Sequence, residues 1–174
     1  WEYEAIPNDL ENDSKTRINY DMMKQEKKTL SYYRLRLEVY LKDYHPQLLG
    51  DETFIRERSE AAAKTYEEAF LQDNPIGIAE SMAMEVLLRG LHFSPYYMLE
   101  QIIENEFANE VPAELSGKLS LLLLEHKDVK DTFDRYHPGD DFDEKPEYDR
   151  LYTELTGTIA TVMEEHDLLK DILR

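Results

Sequence analysis

The sequence predicts an all-α protein, folded as a single compact domain of six or seven short helices. Apolar residues recur at helical spacing from Leu30 almost to the C-terminus, which is the pattern of amphipathic helices. Cap signals such as Ser94-Pro95 separate these segments, and no segment shows the sustained alternation of a strand. We therefore divide the chain into a polar N-terminal tail or weak helix, residues 1–28, and a helical domain, residues 29–174.

The N-terminal part gives the weakest pattern, because it is polar and has no clear apolar period. We expect a tail over residues 1–14 and a weak helix over residues 15–28. The helical domain then begins with a helix near Leu30 that has one rich apolar face. This helix ends at Tyr44-His45-Pro46, since proline cannot continue it.

The second and third predicted helices are bounded by clear caps. Asp51 is the expected N-cap of a helix over residues 52–72, and Asn74-Pro75 opens the next one, over residues 75–89. Gly90 follows as a C-terminal glycine cap. The face of the third helix that we expect to be buried consists of Ile78, Ala79, Met82, Val86 and Leu87.

Proline also marks the later helices. A fourth helix is predicted over residues 95–109, and Pro112 opens a fifth, with a break near His126. After an acidic loop, residues 137–146, a last helix is predicted over residues 147–172. Its interior Gly157 costs about 1 kcal/mol relative to alanine. We expect the close approach of another helix to offset that cost.

The net charge limits the classes of partner. The chain carries 20 Lys and Arg against 38 Asp and Glu, a net charge of −18, and almost all of the excess lies beyond residue 50. Such a surface repels phosphate backbones and anionic membranes, so we expect neither direct nucleic-acid binding nor membrane binding. It attracts basic proteins. There is no Cys, which excludes disulfides and thiol catalysis.

Motifs for metals, cofactors and catalysis are absent from the sequence. No His has a Glu three residues before it, and no His-Glu-x-x-His string occurs. The acidic segment 140–144 does not match the twelve-residue calcium loop. No phosphate-binding glycine loop or serine nucleophile motif is present either. We therefore predict no metal ligands, no cofactor and no catalytic residues.

A weaker candidate is a polar pocket formed where a short loop meets the last helix. The residues that we assign to this pocket, or to an interaction site, are His92, Glu106, Tyr152, Thr153, Glu154 and Thr156. We expect Glu106 and Glu110 to be partly buried beside the apolar stripe of the fourth helix. The alternative is that the threonine hydroxyls only bond back to helix carbonyls.

Several strings resemble a known family. They are Leu30-Ser-Tyr-Tyr-Arg-Leu35, Gly90-Leu-His-Phe-Ser94, Glu106-Phe-Ala-Asn-Glu-Val-Pro112 and Leu151-Tyr-Thr-Glu-Leu-Thr-Gly-Thr-Ile-Ala160. Over residues 29–165 the chain resembles a family of small proteins from Bacteroides and relatives, classed as a domain of unknown function. The resemblance implies an all-α, cytoplasmic bacterial protein, often encoded on mobile elements. It implies no catalytic residue.

Three functions are compatible with these observations. The first is a non-enzymatic module that binds a protein partner, of basic character, or a second copy of itself. The second is a hydrolytic or metal-dependent enzyme that uses the pocket near His92 and Tyr152. The third is a mimic of DNA charge. The acid excess, the 12 Tyr residues and the missing catalytic motifs favour the first.

Overall fold

Helices are the main structural elements of the part of the chain that the structure describes. In the computed structural model, the structure describes residues 9–174, with side chains from Ser14 onward. Eight α-helices lie in this part of the chain. They are α1 Asp9–Tyr44, α2 Glu52–Leu71, α3 Ile76–Leu88, α4 Pro95–Glu106, α5 Ser116–Glu125, α6 Lys127–Tyr136, α7 Glu147–Glu165 and α8 Leu168–Ile172. Short 3₁₀ turns occur at Pro46–Leu48, Ala113–Leu115 and Phe142–Glu144.

The all-α prediction is confirmed, since residues 9–174 contain no strand. The helix count is eight instead of six or seven. The difference lies in the segment predicted as one last helix over residues 147–172, which breaks between α7 and α8. There the Asp167 side chain accepts a hydrogen bond from the Lys170 amide at 3.2 Å and caps a new helix. The predicted break near His126 is confirmed.

Helix α1 is longer than predicted. It begins at Asp9, so residues 9–14, expected as a tail, are helical, and it passes through residues 15–28 without interruption. This stretch contains neither Pro nor Gly, and residues that favour helices, such as Lys, Glu, Met and Leu, are frequent in it. The part of the expected tail at residues 1–8 lies outside the described residues.

The chain divides into two compact units. Unit 1 combines the described residues up to Arg36 with Arg56–Leu87, and unit 2 combines Leu37–Ile55 with Leu88–Arg174. The boundary falls inside α1, again inside α2, and a third time before the last residue of α3.

Unit 2 contains a large apolar cluster, which we call the central core. Its members come from α4 through α8 and from the loops between them, and they include Leu99, Ile102, Leu119, Leu151 and Leu155. Helix α4 packs on α5 and α7, α6 packs on α7, and α5 packs on α8. Phe142, which belongs to the acidic loop, is 2% exposed and anchors that loop in the central core.

The buried face of α3 agrees with the prediction only in part, since Ala79 and Leu87 are buried as expected. The buried residues are Ala79, Ala83 and Leu87, one turn apart along the helix. Ile78 and Met82, predicted to be inside, are 51% and 40% exposed. Helix α3 is apolar around most of its circumference, so spacing alone could not select the buried face.

Two caps confirm the local predictions. The Asp51 side chain accepts a hydrogen bond from the Phe54 amide at 3.0 Å, as an N-cap of α2 should. The Ser94 hydroxyl accepts one from the Tyr97 amide at 2.9 Å, and Pro95 occupies the first turn of α4. Gly90 has a positive φ of 79°, which suits the predicted glycine cap.

The role expected for Gly157 is wrong. A Cβ atom placed on Gly157 would meet nothing within 4 Å, so no helix approaches it closely. The close approach occurs instead at Gly117 on α5, where a Cβ would lie 2.9 Å from the Tyr96 hydroxyl. None of the helices described between residues 9 and 174 has both the length and the apolar character required to cross a bilayer.

Candidate functional site

One polar cavity of unit 2 has a volume of about 310 Å³ and is lined mostly by aromatic and polar side chains, and we call it the aromatic pocket. It is lined by Tyr40, Tyr44, His92, Phe93, Ser94, Tyr97, Met98, Asp143 and Tyr148. These residues come from the end of α1, from α4 and the loop before it, from the acidic loop and from the start of α7. His92, one of the sequence candidates, is therefore placed in a cavity.

Hydrogen bonds fix the walls of the aromatic pocket. The Tyr40 hydroxyl donates to the Leu91 carbonyl at 2.9 Å, and the Nε2–H of the buried His45 bonds to the same carbonyl at 2.8 Å. The Ser94 hydroxyl donates to the Tyr44 carbonyl. These bonds tie the C-terminal end of α1 to the start of α4, and the bond to Leu91 holds the Tyr40 ring in place.

The rings lie close to each other. The centroids of Tyr40 and Tyr44 are 4.8 Å apart, and those of Tyr44 and Tyr97 are 5.7 Å apart. Tyr148 leans on the ring of Phe142, with 6.2 Å between centroids. Tyr44 and Tyr97 remain 37% and 44% exposed, so the aromatic pocket opens between them and the solvent.

The charge inside the aromatic pocket is negative. Partial burial, and after it the nearby Glu144 carboxylate, raise the pKa of Asp143 above its ordinary value. Burial also raises the pKa of Tyr148, with Asp143 as the second cause. Among the described lining residues there is no Lys or Arg to balance Asp143.

The other sequence candidates lie in different places. Tyr152 lies one turn beyond Tyr148 on α7. Its hydroxyl donates a hydrogen bond to Glu106 Oε1 at 3.1 Å and accepts one from the side-chain amide of Asn105 at 3.4 Å. Burial and the bond to Glu106 raise the pKa of Tyr152, which keeps it a protonated donor at neutral pH. Glu106 and Glu110 are both exposed, not partly buried as expected, because α4 ends at Glu106.

The remaining candidates are committed to bonds within or beside α7. Thr153 and Thr156 donate their hydroxyls to the Asp149 and Tyr152 carbonyls, at 3.0 and 2.8 Å, as the alternative interpretation predicted. Glu154 pairs with Arg135 at 3.1 Å. Its hydrogen bond from Tyr136, and then the one from Arg135, lower the pKa of Glu154.

The structure thus separates the sequence candidates. His92 belongs to the aromatic pocket, Tyr152 and Glu106 form a pair at the end of α4, and Glu154 lies in an open groove between α6 and α7. Within the described residues, no group of three or more His, Asp or Glu side chains is arranged to hold a metal ion. The sequence interpretation missed Tyr40, Tyr44, Tyr97, Tyr148 and Asp143.

A second feature lies in unit 1, between α1 and α2. This apolar groove has a volume of about 360 Å³. It is lined by Met22, Gln25, Glu26, Thr29, Tyr66, Glu67, Phe70 and Leu71. Phe70 and Leu71 are 53% and 80% exposed, which is unusual for side chains of this size. Burial, followed by the neighbouring Glu26 carboxylate, raises the pKa of Glu67.

Comparison with known proteins places this acidic, all-helical chain in a protein family whose function is unknown. The family described as a domain of unknown function, DUF1896, matches residues 25–168. The chain belongs to that family, as its resemblance to a domain of unknown function implied.

A solved structure is also similar to this chain. It is the crystal structure of protein PG0816 from Porphyromonas gingivalis, which shares 45% sequence identity. The match covers 82% of this chain and 95% of that one, with a TM-score of 0.79. No curated protein matches this chain.

Proposed function

We propose that this chain is a non-enzymatic protein–protein interaction module whose binding surface is the apolar groove of unit 1. The observation that carries the proposal is the distribution of exposed apolar side chains. Of the sixteen large apolar residues that are exposed in the described chain, eleven belong to unit 1. Scattered apolar residues are normal on a surface, but three of these eleven, Met22, Phe70 and Leu71, line one groove, and such a patch is typical of an interaction site.

The shape and the charge of the groove suit an amphipathic helix with basic residues. Its apolar lining, Met22, Tyr66, Phe70 and Leu71, provides contact for one face of such a helix. The carboxylates of Glu26 and Glu67 lie in the same groove and repel each other. A Lys or Arg from the partner would relieve that repulsion, and the net charge of −18 would speed the encounter.

We further propose that the module acts in the bacterial cytoplasm, in the biology of mobile elements. The relative from Porphyromonas gingivalis supports a bacterial origin. The mobile-element context is what the resemblance of the sequence implies. A second copy of the chain is the alternative occupant of the groove.

The proposal is tested by comparing two double variants of the full chain. Phe70→Ser with Leu71→Ser removes the apolar lining of the groove. Ile76→Ser with Ile78→Ser is the matched control, because those residues are 58% and 51% exposed in the same unit but do not line the groove. Each protein is used to capture partners from a lysate of the cells in which the chain occurs naturally. The mass of each purified protein in solution is measured by sedimentation.

We expect the wild type and the control to retain the same partner and the groove variant to lose it. Retention should weaken at high salt, since the carboxylates contribute. A partner held equally by all three proteins would contradict the assignment of the groove. A monomer that captures nothing at low salt would contradict the interaction module itself.

A further inference from the structure

The aromatic pocket of unit 2 has a chemistry that the proposed interaction of unit 1 does not use. Four tyrosine rings, Tyr40, Tyr44, Tyr97 and Tyr148, surround a space that also receives the carboxylate of Asp143. The face of an aromatic ring carries negative charge density, so it attracts a cation. Several such faces beside one carboxylate bind a cation that also has an apolar surface.

We propose that the aromatic pocket binds a methylated ammonium group, as carried by a methylated lysine side chain or by a choline-like molecule. The ring faces would contact the methyl groups, and Asp143 would supply the opposite charge. A volume of about 310 Å³ is at the small end of the range for ligand sites, roughly 300–1,000 Å³. It fits one ammonium head group with part of its chain.

The walls of the pocket are prepared for such a ligand. The ring centroids of Tyr40, Tyr44 and Tyr97 follow each other at 4.8 and 5.7 Å, so the rings form a continuous surface. The Tyr40 hydroxyl is occupied by the Leu91 carbonyl, and the Tyr44 backbone is held by Ser94. A cage whose walls are already fixed loses little conformational entropy when it binds.

The charge around the pocket supports a cation over a neutral or anionic ligand. Asp143 lines the pocket together with Tyr40 and Tyr148, and its negative charge contributes to the raised pKa of both tyrosines, after burial in each case. Asp140 adds a second negative charge near Tyr40. A methylated ammonium ion would supply the positive charge that the described lining residues lack, and it would lose less hydration on entry than a primary ammonium ion.

The first experiment measures choline and a trimethyl-lysine peptide against the wild-type chain by calorimetry and by the NMR signal of the N-methyl groups. Rings that surround the methyl groups should shift this signal upfield. The neutral isostere 3,3-dimethylbutan-1-ol and the unmethylated lysine peptide serve as controls. We expect both methylated cations to bind at least about tenfold more tightly than their controls.

The two methylated probes also separate the sources of the ligand. Tighter binding of the peptide would assign the pocket to a protein side chain, and tighter binding of choline would assign it to a small molecule. The proposal is overturned if the neutral isostere or the unmethylated peptide binds as well as its methylated counterpart. It is also overturned if neither methylated probe binds.

Variants locate the binding in the pocket. Tyr97→Leu should weaken choline binding about five- to tenfold, while Tyr32→Leu, at a tyrosine of unit 1 that is 48% exposed, should leave it unchanged. Asp143→Asn should weaken binding to a similar extent. Its matched control is Asp141→Asn, which removes one charge from the same loop outside the pocket. Equal effects of variant and control would refute the assignment. Because all four positions are at the surface, we expect none of the four variants to lose helix content. Circular dichroism checks this.

Discussion

The two units of this molecule use their apolar residues in opposite ways. In the described part of unit 1, seven apolar residues are buried and five of them are alanine. In unit 2, twenty are buried and none is alanine. Unit 1 also leaves eleven large apolar side chains exposed, against five in unit 2. Unit 2 therefore buries its large apolar side chains, whereas unit 1 buries mainly alanine and leaves most of its large apolar side chains in contact with solvent.

The largest expected effect tests the closed core of unit 2. Leu151→Ala should cost about 2–5 kcal/mol of unfolding free energy, because Leu151 is fully buried in the central core. Leu71→Ala, at a leucine that is 80% exposed in unit 1, should change it by less than about 0.5 kcal/mol. Urea unfolding followed by circular dichroism measures both values.

Equal losses of unfolding free energy in the two variants would contradict the difference between unit 1 and unit 2. A loss of unfolding free energy in the Leu71→Ala variant that grows with protein concentration would have a different meaning. It would show that a second copy covers the apolar groove.

A smaller effect compares two glycines. Gly117→Ala in unit 2 should lower the unfolding free energy by about 1–2 kcal/mol, because the new methyl group meets the Tyr96 hydroxyl at 2.9 Å. Gly77→Ala in unit 1 should raise it by about 0.5–1 kcal/mol, since nothing lies within 4 Å and alanine favours the helix. Thermal unfolding of both variants shows whether each substitution raises or lowers the unfolding free energy. Stabilisation by both would mean that the Tyr96 side chain moves away from the new methyl group without a net cost.

The smallest effect depends on pH and belongs to unit 2, which contains all five His. Burial lowers the pKa of His45, which is only 4% exposed. The neutral ring therefore stabilises the fold above the unfolded pKa of about 6.5, and this contribution is lost as the pH falls below that value.

The variant His45→Gln keeps a side-chain donor for the Leu91 carbonyl but does not titrate. We expect the wild type to exceed it in unfolding free energy at pH 7.5, and the difference to shrink towards pH 5. Urea titrations at several pH values measure the difference. A gap that stays constant with pH would mean that the ring is not buried in its neutral form.

Local signals in the sequence predicted the fold well, because they depend on neighbouring residues. Ser94-Pro95 and Asp51 identified two helix starts correctly. The buried face of α3 was predicted only in part, since apolar residues surround that helix and only tertiary contacts decide that Ala79 is buried and Ile78 is exposed. The break at Asp167 contains neither Pro nor Gly, and its sequence signal was limited to the capping aspartate itself.

The candidate site was less predictable for a related reason. His92 was identified from its place in a short loop, and the structure locates it in the aromatic pocket. Its partners Tyr40, Tyr97 and Tyr148 come from three separate segments, and no spacing rule connects residues so far apart. The available signal was the high tyrosine content together with the adjacent pair Tyr96-Tyr97, which does not say which rings meet.

One carboxylate of the acidic loop has a consequence for hydrogen exchange. Asp140 accepts hydrogen bonds from the backbone amides of Gly90 and His92, at 2.8 and 3.1 Å, although both residues are exposed. Amides in an exposed loop normally exchange with deuterium quickly, whereas these two can exchange only when the loop opens. Their exchange rates therefore report whether a side chain 50 residues away in the sequence stays in place at the rim of the aromatic pocket.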